Sequence, residues 1–329
     1  MVPGGPADLR APTRTLSTVP RHFVIFNPAS GRGRGKRRIE VYRQLLSDQL
    51  DDVTFAESAE PGGEIALADK ATAEGYDVVV AVGGDGTWSN VADRLLASGR
   101  DDITLGILPN GTGNDFGRSL GFDPSDVGAA VKVLTSGNIR IVDVGRVETE
   151  SASEHTPERW QTRYFLNLIG FGFDIAVIDA AAGARFLKGE LLYKITALQQ
   201  LFRFPGVELR LSSEGGEERS GGYLMVTVSN APFFGGGFPI APDATVQDGK
   251  LHACQISDAS PLSRLRLFNL AERGRHVTSD RVEVIADSGF RMEFPAPPRF
   301  EVDGDVRCSA GHTVEARILP AALKVIAPK

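Results

Sequence analysis

The stretch that decides the fold of the first half is DVVVAVGGDGTWSNVAD, from Asp77 to Asp93. An apolar run typical of a buried strand ends in two glycines, an aspartate, a third glycine and a threonine, and a helix-like pattern follows. A strand that passes through a glycine-rich turn into a helix is typical of anion sites, because main-chain N–H groups converge there. The carboxylate of Asp85 inside this turn therefore needs an explanation.

The composition is that of a globular protein. The chain has 329 residues, which suggests about two domains, and 42% of them are hydrophobic, enough for a packed core. Its net charge of −6 argues against bulk nucleic-acid binding. The two cysteines, Cys254 and Cys308, fit a reducing cytoplasm, and the five histidines lie far apart, without the spacing of metal ligands.

Neither a membrane span nor a secretion signal is expected. No apolar run approaches the ~20 residues that a membrane helix needs. Residues 1–20 contain no apolar block of the signal-peptide kind, and their Pro, Gly and Thr content predicts a disordered leader. We expect a soluble cytoplasmic protein that contacts a membrane, if at all, from one side.

The first half of the chain alternates strand-like and helix-like segments from Arg21 to about Asp143. HFVIFN, VTFAE, DVVVAV and ITLGIL have the composition of strands, and helix-like segments separate them. A further helix, in PSDVGAAVKVLTSG, is predicted to start at a capping Ser125 and to end on Gly137. This alternation predicts a mostly parallel, Rossmann-like α/β sheet.

The second half has a different pattern. Strand-like runs become adjacent and are joined by polar links such as SSEGGEERSGG, which favours an antiparallel β-sandwich. The tail ALKVIAP is expected to return to the first domain. We therefore predict an α/β plus β fold, with a leader at 1–20, an α/β domain at 21–143 together with 318–329, and a β-rich domain at 144–317.

Three loops leave the carboxyl ends of the predicted parallel strands, where open sheets bind ligands. They are Asn27–Gly31, Gly83–Thr87 and Pro109–Arg118. Glycine lets main-chain N–H groups approach an anion, and a helix that begins near Thr87 adds the positive end of its dipole. Tight turns alone would also explain each glycine. The loop residues that we expect to line an anion site include Ser30, Gly31, Thr87, Thr112 and Asn114.

Two familiar phosphate motifs are absent. GRGRGKR, at residues 31–37, resembles a P-loop but is one residue short and lacks Ser or Thr after Lys36. No GxGxxG follows the first strand, so a Rossmann dinucleotide site is not supported.

Carboxylates beside a triphosphate are repelled unless a divalent cation lies between them, and Mg²⁺ prefers such oxygen ligands. Asp85 and Asp115 therefore indicate bound Mg²⁺, unless either one only caps a turn.

The motifs NPASG, GGDGT and PNGTGNDFGRSLG, in this order, resemble the diacylglycerol kinase catalytic family, which includes bacterial soluble lipid kinases and the sphingosine and ceramide kinases. The resemblance continues through NLIGFGFDIAVI, VSNAPFFGGGFPIAPDATVQDGKL and FEVDGDV, and covers residues 22 to 328. GGDGT alone is moderately specific, since NAD kinases and phosphofructokinases carry similar motifs. GTGND and PDATVQDG make the resemblance strong.

The resemblance implies an ATP-binding α/β domain, a lipid-binding β domain and an active site in the cleft between them. It implies a general base at Asp303 and a Mg²⁺ ligand at Asp248, with the carbonyls of Thr245 and Lys250 as further ligands. Asp85 and Asp115 would join the metal–water network. Nucleotide-contacting positions fall on Asn27, Gly83, Gly84, Asp85, Gly86, Thr87, Gly111 and Thr112.

One departure concerns the turn that carries the expected base. The family usually has Asp-Gly-Glu where this chain has Asp303-Gly304-Asp305, so the side chain of Asp305 is shorter than the usual glutamate by a methylene. FEVDGDVRC predicts a strand–turn–strand hairpin that exposes the turn carboxylates. Asp303 is the first choice as base and Asp85 the second; a plain hairpin turn is the alternative for Asp303.

The expected function is ATP- and Mg²⁺-dependent transfer of a phosphoryl group to a lipid hydroxyl, with diacylglycerol as the first choice of acceptor. The alternatives are another lipid acceptor (a sphingoid base, ceramide or a phosphatidylglycerol-like lipid), an NAD kinase and a non-catalytic regulator. Expected partners are a membrane lipid at the inner membrane face, through peripheral contact, and no nucleic acid. The resemblance leaves a homodimer open.

Three segments have open assignments. The basic run Arg32–Arg38 faces either phosphates or solvent at a helix start. RFLKGELLYKITALQQLFRF and PLSRLRLFNLAERGRH are helices that either pack on their own domain or form a lip for the lipid. FFGGGFP, at residues 233–239, is either a mobile loop over the acceptor or a crowded strand corner.

Overall fold

The structure is a computed structural model that describes residues 19–30, 35–151, 160–183, 199 and 201–329. The described strands are β1 (His22–Phe26), β2 (Val53–Glu57), β3 (Val78–Gly83), β4 (Thr104–Pro109), β5 (Ile139–Glu150), β6 (Trp160–Phe165), β7 (Leu168–Gly172), β8 (Val207–Ser213), β9 (Glu218–Ser229), β10 (Phe233–Phe234), β11 (Phe238–Pro239), β12 (Leu251–Ser257), β13 (Val282–Asp287), β14 (Gly289–Glu293), β15 (Arg299–Val302), β16 (Asp305–Cys308) and β17 (Thr313–Ile326). The described helices are α1 (Gly35–Gln49), α2 (Gly63–Ala73), α3 (Asp85–Ala97), α4 (Asp115–Ser119), α5 (Val127–Ser136), α6 (Phe173–Gly183) and α7 (Pro261–Ala271).

The N-terminal half contains the parallel sheet that the alternating pattern predicts. Its strands lie in the order β2-β1-β3-β4, and all six residues of the central β3 are buried. Strands covered on both faces read as continuous apolar runs, which is why VVVAVG lacks alternation. Helix α3 is fixed by the fully buried Trp88, whose Nε1 donates to the carbonyl of Ala81 at 3.1 Å. The predicted α/β architecture is confirmed.

Two local predictions about helices need correction. The cap of α5 is Asp126, whose carboxylate accepts from the main-chain N–H of Ala129 at 2.8 Å, and not Ser125. The Ser125 hydroxyl donates instead to Asp123, two residues earlier. The predicted end is right, since Gly137 takes the left-handed conformation that favours glycine. The short helix α4, within the third loop, was not predicted.

The C-terminal half is the predicted antiparallel sandwich, with strands in the order β16-β15-β7-β9-β8-β14 and with β12 and β13 attached through β9. Its core includes Phe171, whose ring lies 5.0 Å from that of Phe294 and 5.7 Å from that of Phe300. Alternating inward residues of this kind fill the space between two sheet layers.

Strands β5 and β17 connect the two halves of the molecule. They pair with each other over most of their length, and β17 pairs with β14 at its start and with β4 at Val325 and Ile326. The chain end thus becomes a parallel strand of the N-terminal sheet. Both predicted domain boundaries, after residues 143 and 317, fall inside these strands, so they stay predictions.

Candidate functional site

Side-chain amides join the first loop at the strand ends to the second and to the third. Asn27 donates from Nδ2 to the hydroxyl of Thr87 at 2.9 Å, and Asn110 donates from Nδ2 to the hydroxyl of Ser30 at 2.9 Å. The Ser30 hydroxyl itself donates to the carbonyl of Asn27 at 2.7 Å. These groups therefore hold the loops in place, and the predicted contacts of Ser30 and Thr87 with a ligand stay predictions. Gly31 lies outside the described residues.

The glycines allow the second and third loops to approach closely. A Cβ at Gly111 would lie 2.5 Å from the Cα of Gly84, and one at Gly83 would lie 2.5 Å from Thr87. Asn114, in the left-handed conformation, accepts from the N–H of Gly111 at 3.1 Å and donates back to its carbonyl at 3.0 Å. Packing against the main chain of Gly84 and against the side chain of Thr87 thus accounts for the small residues at Gly111 and Gly83.

A cleft of about 970 Å³ opens beside these loops and brings together residues that are far apart in the sequence. The predicted site residues that line it are Asp85, Gly86, Thr112, Asp115, Asp303 and Asp305. The FFGGGFP segment forms the hairpin of β10 and β11, and its residues 233–238 line the cleft too. The cleft lining thus combines acidic side chains with the aromatic side chains of this hairpin.

Asp85 and Asp115 form the acidic part on the N-terminal side. Asp85 accepts from the N–H of Phe116 at 3.0 Å, and Asp115 accepts through Oδ2 from the N–H of Gly236 at 2.8 Å. The other oxygen of Asp115, Oδ1, is buried and receives no hydrogen bond from a described residue; Nε of Arg118 lies 3.9 Å away. Burial raises the pKa of Asp115 to about 6, and the charge of Asp85 adds to the shift. Burial also raises the pKa of Asp85.

Asp303 lies in the predicted hairpin but is not exposed as expected. The turn between β15 and β16 has positive φ at Asp303 (49°) and Gly304 (91°), as a type I′ turn requires. Asp305 is well exposed, with 45% of its side chain accessible, whereas Asp303 is only 7% exposed. The prediction that the turn presents both carboxylates is therefore wrong for Asp303.

The reason is that the Asp303 carboxylate caps the chain before β7. Its two oxygens accept from the N–H groups of Leu166 at 2.7 Å, Asn167 at 2.8 Å and Leu168 at 3.0 Å. Burial raises the pKa of Asp303 above its ordinary value, and these N–H groups oppose the shift. Asp303 therefore fixes the relative position of β7 and β15 at the cleft.

Sequence reasoning missed a second acidic pair, Asp174 and Glu301. Glu301 is fully buried and lies opposite Gly170 in the β7–β15 pairing; a Cβ at Gly170 would lie 2.0 Å from Asp174 Oδ2 and 2.9 Å from Glu301 Oε1. No described group donates a hydrogen bond from nitrogen or hydroxyl to the oxygens of Glu301. Because Gly170 has no side chain, both carboxyls fit beside it. This arrangement can be recognised only once the pairing of β7 with β15 is known.

Burial shifts the titration of the acidic pair toward higher pH. Burial raises the pKa of Asp174 to about 7. Burial, and then the charge of Asp174, raises the pKa of Glu301 well above its ordinary value. The raised pKa values favour a neutral carboxyl in this pair, which can donate a hydrogen bond to the other.

The predicted Mg²⁺ ligand Asp248 lies away from the cleft, in the turn before β12. Its carboxylate accepts from the N–H of Thr245 at 3.1 Å, from the N–H of Lys250 at 2.9 Å and from Nε2 of His252 at 2.9 Å. The described residues contain no group of three His, Cys, Asp or Glu arranged as a metal site. Asp248 caps its own turn in this structure, and its role as a metal ligand stays a prediction.

The open assignments are settled in part. From the basic run, Arg38 donates to the carbonyl of Pro124 at 2.7 Å, a structural contact, while Arg32 and Arg34 lie outside the described residues. Most of the first proposed lip helix, at 185–204, also lies outside them. In the described part of the chain, no helix is long and apolar enough to cross a membrane.

Comparison with known proteins agrees with this geometry. Residues 21–147 match the model of the diacylglycerol kinase catalytic domain, and residues 167–327 match that of the YegS C-terminal NAD kinase beta sandwich-like domain. A diacylglycerol kinase of Mycobacterium tuberculosis is 31% identical over 93% of this chain and 94% of its own length. The chain belongs to the diacylglycerol kinase family. The predicted resemblance is confirmed.

Other members of the diacylglycerol kinase family extend the comparison. A diacylglycerol kinase of Bacillus subtilis is 24% identical over 87% of this chain and 89% of its own length. A crystal structure of a diacylglycerol kinase from Bacillus anthracis has the same fold, with a TM-score of 0.68 over 95% of this chain and 98% of that one, at 17% identity. Family membership makes the chain a lipid kinase, a phosphotransferase that uses ATP.

Proposed function

We propose that this kinase transfers the γ-phosphoryl group of ATP to the hydroxyl of diacylglycerol, in a reaction that depends on Mg²⁺. The observation that carries the proposal is the cleft, which places carboxylates from the N-terminal strand ends and from the β15–β16 hairpin next to an aromatic wall. A lipid kinase needs both surfaces, because a charged phosphate and an acyl chain must meet at one reacting hydroxyl.

The acidic part of the cleft fits Mg²⁺. Asp85 and Asp115 supply hard oxygen ligands, and the buried Oδ1 of Asp115 has no donor among the described residues. A bound Mg²⁺ would neutralise phosphate charge. The fixed loops at Gly84 and Gly111 would supply N–H groups to the phosphates, and α3, which begins at Asp85, directs its N-terminus toward this edge.

The aromatic part of the cleft fits the lipid. An apolar cavity adjoins the cleft and shares part of its wall, namely Phe234, Gly235, Phe238 and Phe268. The remaining lining of the cavity is largely aliphatic, from α6, β9, β12 and α7, and buries almost no polar surface. This cavity measures only about 60 Å³, so an acyl chain would lie mainly in the larger cleft, along the shared aromatic wall, with the glycerol hydroxyl near the carboxylates.

The general base remains Asp303 in this proposal, with Asp85 as the second choice. Asp303 lines the cleft, and its raised pKa favours proton acceptance. The three N–H donors hold it in one position, so its orientation is fixed before the substrate arrives. Asp305, on the exposed side of the same turn, would face the phosphates across from Gly86.

The test is incubation with labelled ATP and a panel of lipids in mixed micelles, with and without Mg²⁺. Label in phosphatidic acid, only when Mg²⁺ is present, supports the proposal. Label in a sphingoid base, ceramide or phosphatidylglycerol-like lipid would replace the acceptor and keep the reaction class. Label in NAD, or ATP binding without any transfer, would contradict the proposal. We further propose that the enzyme works in the cytoplasm, in transient contact with the inner membrane face.

A further inference from the structure

The cleft has an excess of acidic side chains. Among its described lining residues, six carry a carboxyl group, namely Asp85, Asp115, Glu272, Glu301, Asp303 and Asp305. Among the same residues, one carries a basic side chain: Arg273, which follows the end of α7. A phosphate group that is no longer bound to a metal ion is repelled by carboxylates, so its retention in the cleft needs a cation.

The turn after α7 holds the main chain of Arg273 in place. The N–H groups of Arg273 and Arg275 both donate to the carbonyl of Leu270, at 3.1 Å and 2.9 Å. Between them, Gly274 has a φ of 64°, and a Cβ at this glycine would lie 2.9 Å from Cγ of Pro239 in β11. The turn is therefore packed against the β10–β11 hairpin.

The β10–β11 hairpin also contacts the acidic residues of the N-terminal half. At its tip, the N–H of Gly236 donates to Oδ2 of Asp115 at 2.8 Å. Pro239 follows Gly236 by three residues, a span of at most about 11 Å. One short hairpin thus joins the turn of Arg273 to the carboxylate of Asp115, and both residues line the same cleft.

The guanidinium of Arg273 is available for a ligand. Its side chain is exposed, and it forms no ion pair or hydrogen bond with another described residue. Arg118, on the other side of the hairpin, differs. Its guanidinium lies 5.8 Å from the ring centre of Phe233 and its Nε lies 3.9 Å from Oδ1 of Asp115, and it does not line the cleft. Arg273 is thus the described cation that a phosphate in the cleft can contact.

We propose that Arg273 binds the phosphate monoester that the reaction forms on the lipid acceptor. The γ-phosphoryl group passes from ATP to the lipid oxygen, the hydroxyl proton passes to Asp303, and ADP is left at the loops of the N-terminal side. The new phosphate therefore appears on the acceptor side of the cleft. A guanidinium matches its oxygens with two parallel N–H···O bonds.

Arg273 lies on that acceptor side. It follows α7, whose Phe268 packs against Phe238 of the hairpin with ring centres 5.4 Å apart, and both rings belong to the wall assigned to the lipid. The inference rests on the proposed function for the identity of the lipid. The recognised group, a phosphate monoester on a lipid, is the same for any acceptor alcohol.

The experiment is calorimetric titration of the full chain, without nucleotide, with dioctanoyl phosphatidic acid, dioctanoyl phosphatidylglycerol and dioctanoylglycerol. We expect Arg273→Gln to weaken the binding of phosphatidic acid about tenfold, because a charge-assisted hydrogen bond is lost, and to leave the binding of dioctanoylglycerol unchanged. Arg273→Lys should lose less, because it keeps the charge but not the two-pronged contact. Phosphatidylglycerol, a diester of lower charge, should respond less than phosphatidic acid.

Arg275→Gln is the matched control. Arg275 is exposed and two residues away, and its replacement makes the same change in net charge, but it does not line the cleft. This variant should bind phosphatidic acid like the wild type. An equal loss in the control, an unchanged affinity in Arg273→Gln or an equal loss for phosphatidylglycerol would overturn the proposal. A wild-type protein that does not bind phosphatidic acid would overturn it too.

A kinetic readout separates this site from the nucleotide site. With dioctanoylglycerol as acceptor, inhibition of the transfer by added phosphatidic acid should weaken about tenfold in Arg273→Gln, while the KM for ATP stays unchanged. A rise in the KM for ATP of the same size would place Arg273 on the nucleotide and contradict the assignment. If the wild type phosphorylates no diacylglycerol, the proposed function fails, and the titration with phosphatidic acid still decides whether Arg273 binds a lipid phosphate.

Discussion

The two sides of the cleft differ in how their polar groups are satisfied. On the N-terminal side, Asn27, Thr87, Asn110 and Ser30 bond to one another and join loops from separate strands. On the β15 side, Glu301 is buried, and among the described residues only its acidic neighbour Asp174 can donate to it. The first arrangement is a rigid frame, and the second stores unfavourable electrostatic energy. We infer that the hydrogen-bonded loops of the N-terminal side hold a ligand in position. The carboxyls on the β15 side that lack such bonds are groups whose behaviour depends on protonation or on a bound ligand.

Removing Asp303 should have the largest effect, because Asp303 is both the proposed general base and the acceptor for three buried main-chain N–H groups. We expect Asp303→Ala to lower the transfer rate about 10²–10⁴-fold while ATP still binds. The free energy of unfolding should also fall by about 3 kcal/mol, since three buried N–H groups lose their acceptor. Rates are measured well below the melting temperature of the variant, and ATP binding is measured by calorimetry.

Asp305→Asn provides the matched control on the same turn. Its exposed carboxylate bonds to Arg307, so the melting temperature should stay within about 1 °C of the wild type. An active Asp303→Ala enzyme would show that another group takes the proton, and Asp85 would be examined next.

The glycine frame is tested by Gly111→Ala. The new methyl group would lie 2.5 Å from the Cα of Gly84, so the second and third loops must separate. We expect a loss of about 1–3 kcal/mol in stability and at least about tenfold weaker ATP binding. Gly128→Ala is the control, since its Cβ makes an ordinary 3.5 Å contact in α5 and should stabilise slightly. Wild-type ATP affinity in Gly111→Ala would show that ATP binding does not depend on the close approach of these two loops.

How much of this could be predicted from the sequence differs between the two sides. The place of the three loops at the strand ends was predictable, because strand-end position and glycine content are local patterns. The side-chain bonds that join these loops were not, because they link residues 60 to 80 positions apart. The burial of Asp303 was not, because its three donors lie in residues 166–168, far away in the chain. The Glu301–Asp174 pair depends on which residue lies opposite Gly170 in the pairing of β7 with β15. The register of two antiparallel strands cannot be deduced from the sequence of either strand alone.

The acidic pair predicts a pH-dependent stability. Because the folded-state pKa of Asp174 is raised to about 7, the folded protein binds more protons than the unfolded chain, and stability falls as pH rises from about 4 through 7. Asp303 and Asp305 face Glu301 as well and add to its penalty. Glu301→Gln should therefore melt several degrees above the wild type at pH 8, and the difference should shrink at pH 5.

The control for this pH effect is Glu293→Gln. Glu293 is an exposed partner of Arg291, so its replacement should change the melting temperature little and equally at both pH values. A Glu301→Gln variant that is less stable than the wild type at pH 8 would mean that the buried carboxyl has a favourable partner.

The smallest effect concerns the turn at Asp248. If this residue only caps its turn, Asp248→Ala lowers stability by about 1–2 kcal/mol, equally with and without Mg²⁺, because the N–H groups of Thr245 and Lys250 lose their acceptor. If it also holds a cation, as the family resemblance implies, Mg²⁺ should raise the melting temperature of the wild type but not of the variant. Melting curves at matched ionic strength, with Ca²⁺ and EDTA as references, separate the two outcomes.

The most direct test of the central claim is a crystal structure with a non-hydrolysable ATP analogue and Mg²⁺. The account predicts the phosphates against the loops at Gly83–Thr87 and Gly111–Asn114, with the cation beside Asp85 and Asp115. A nucleotide bound elsewhere, with these loops and carboxylates unchanged, would contradict it.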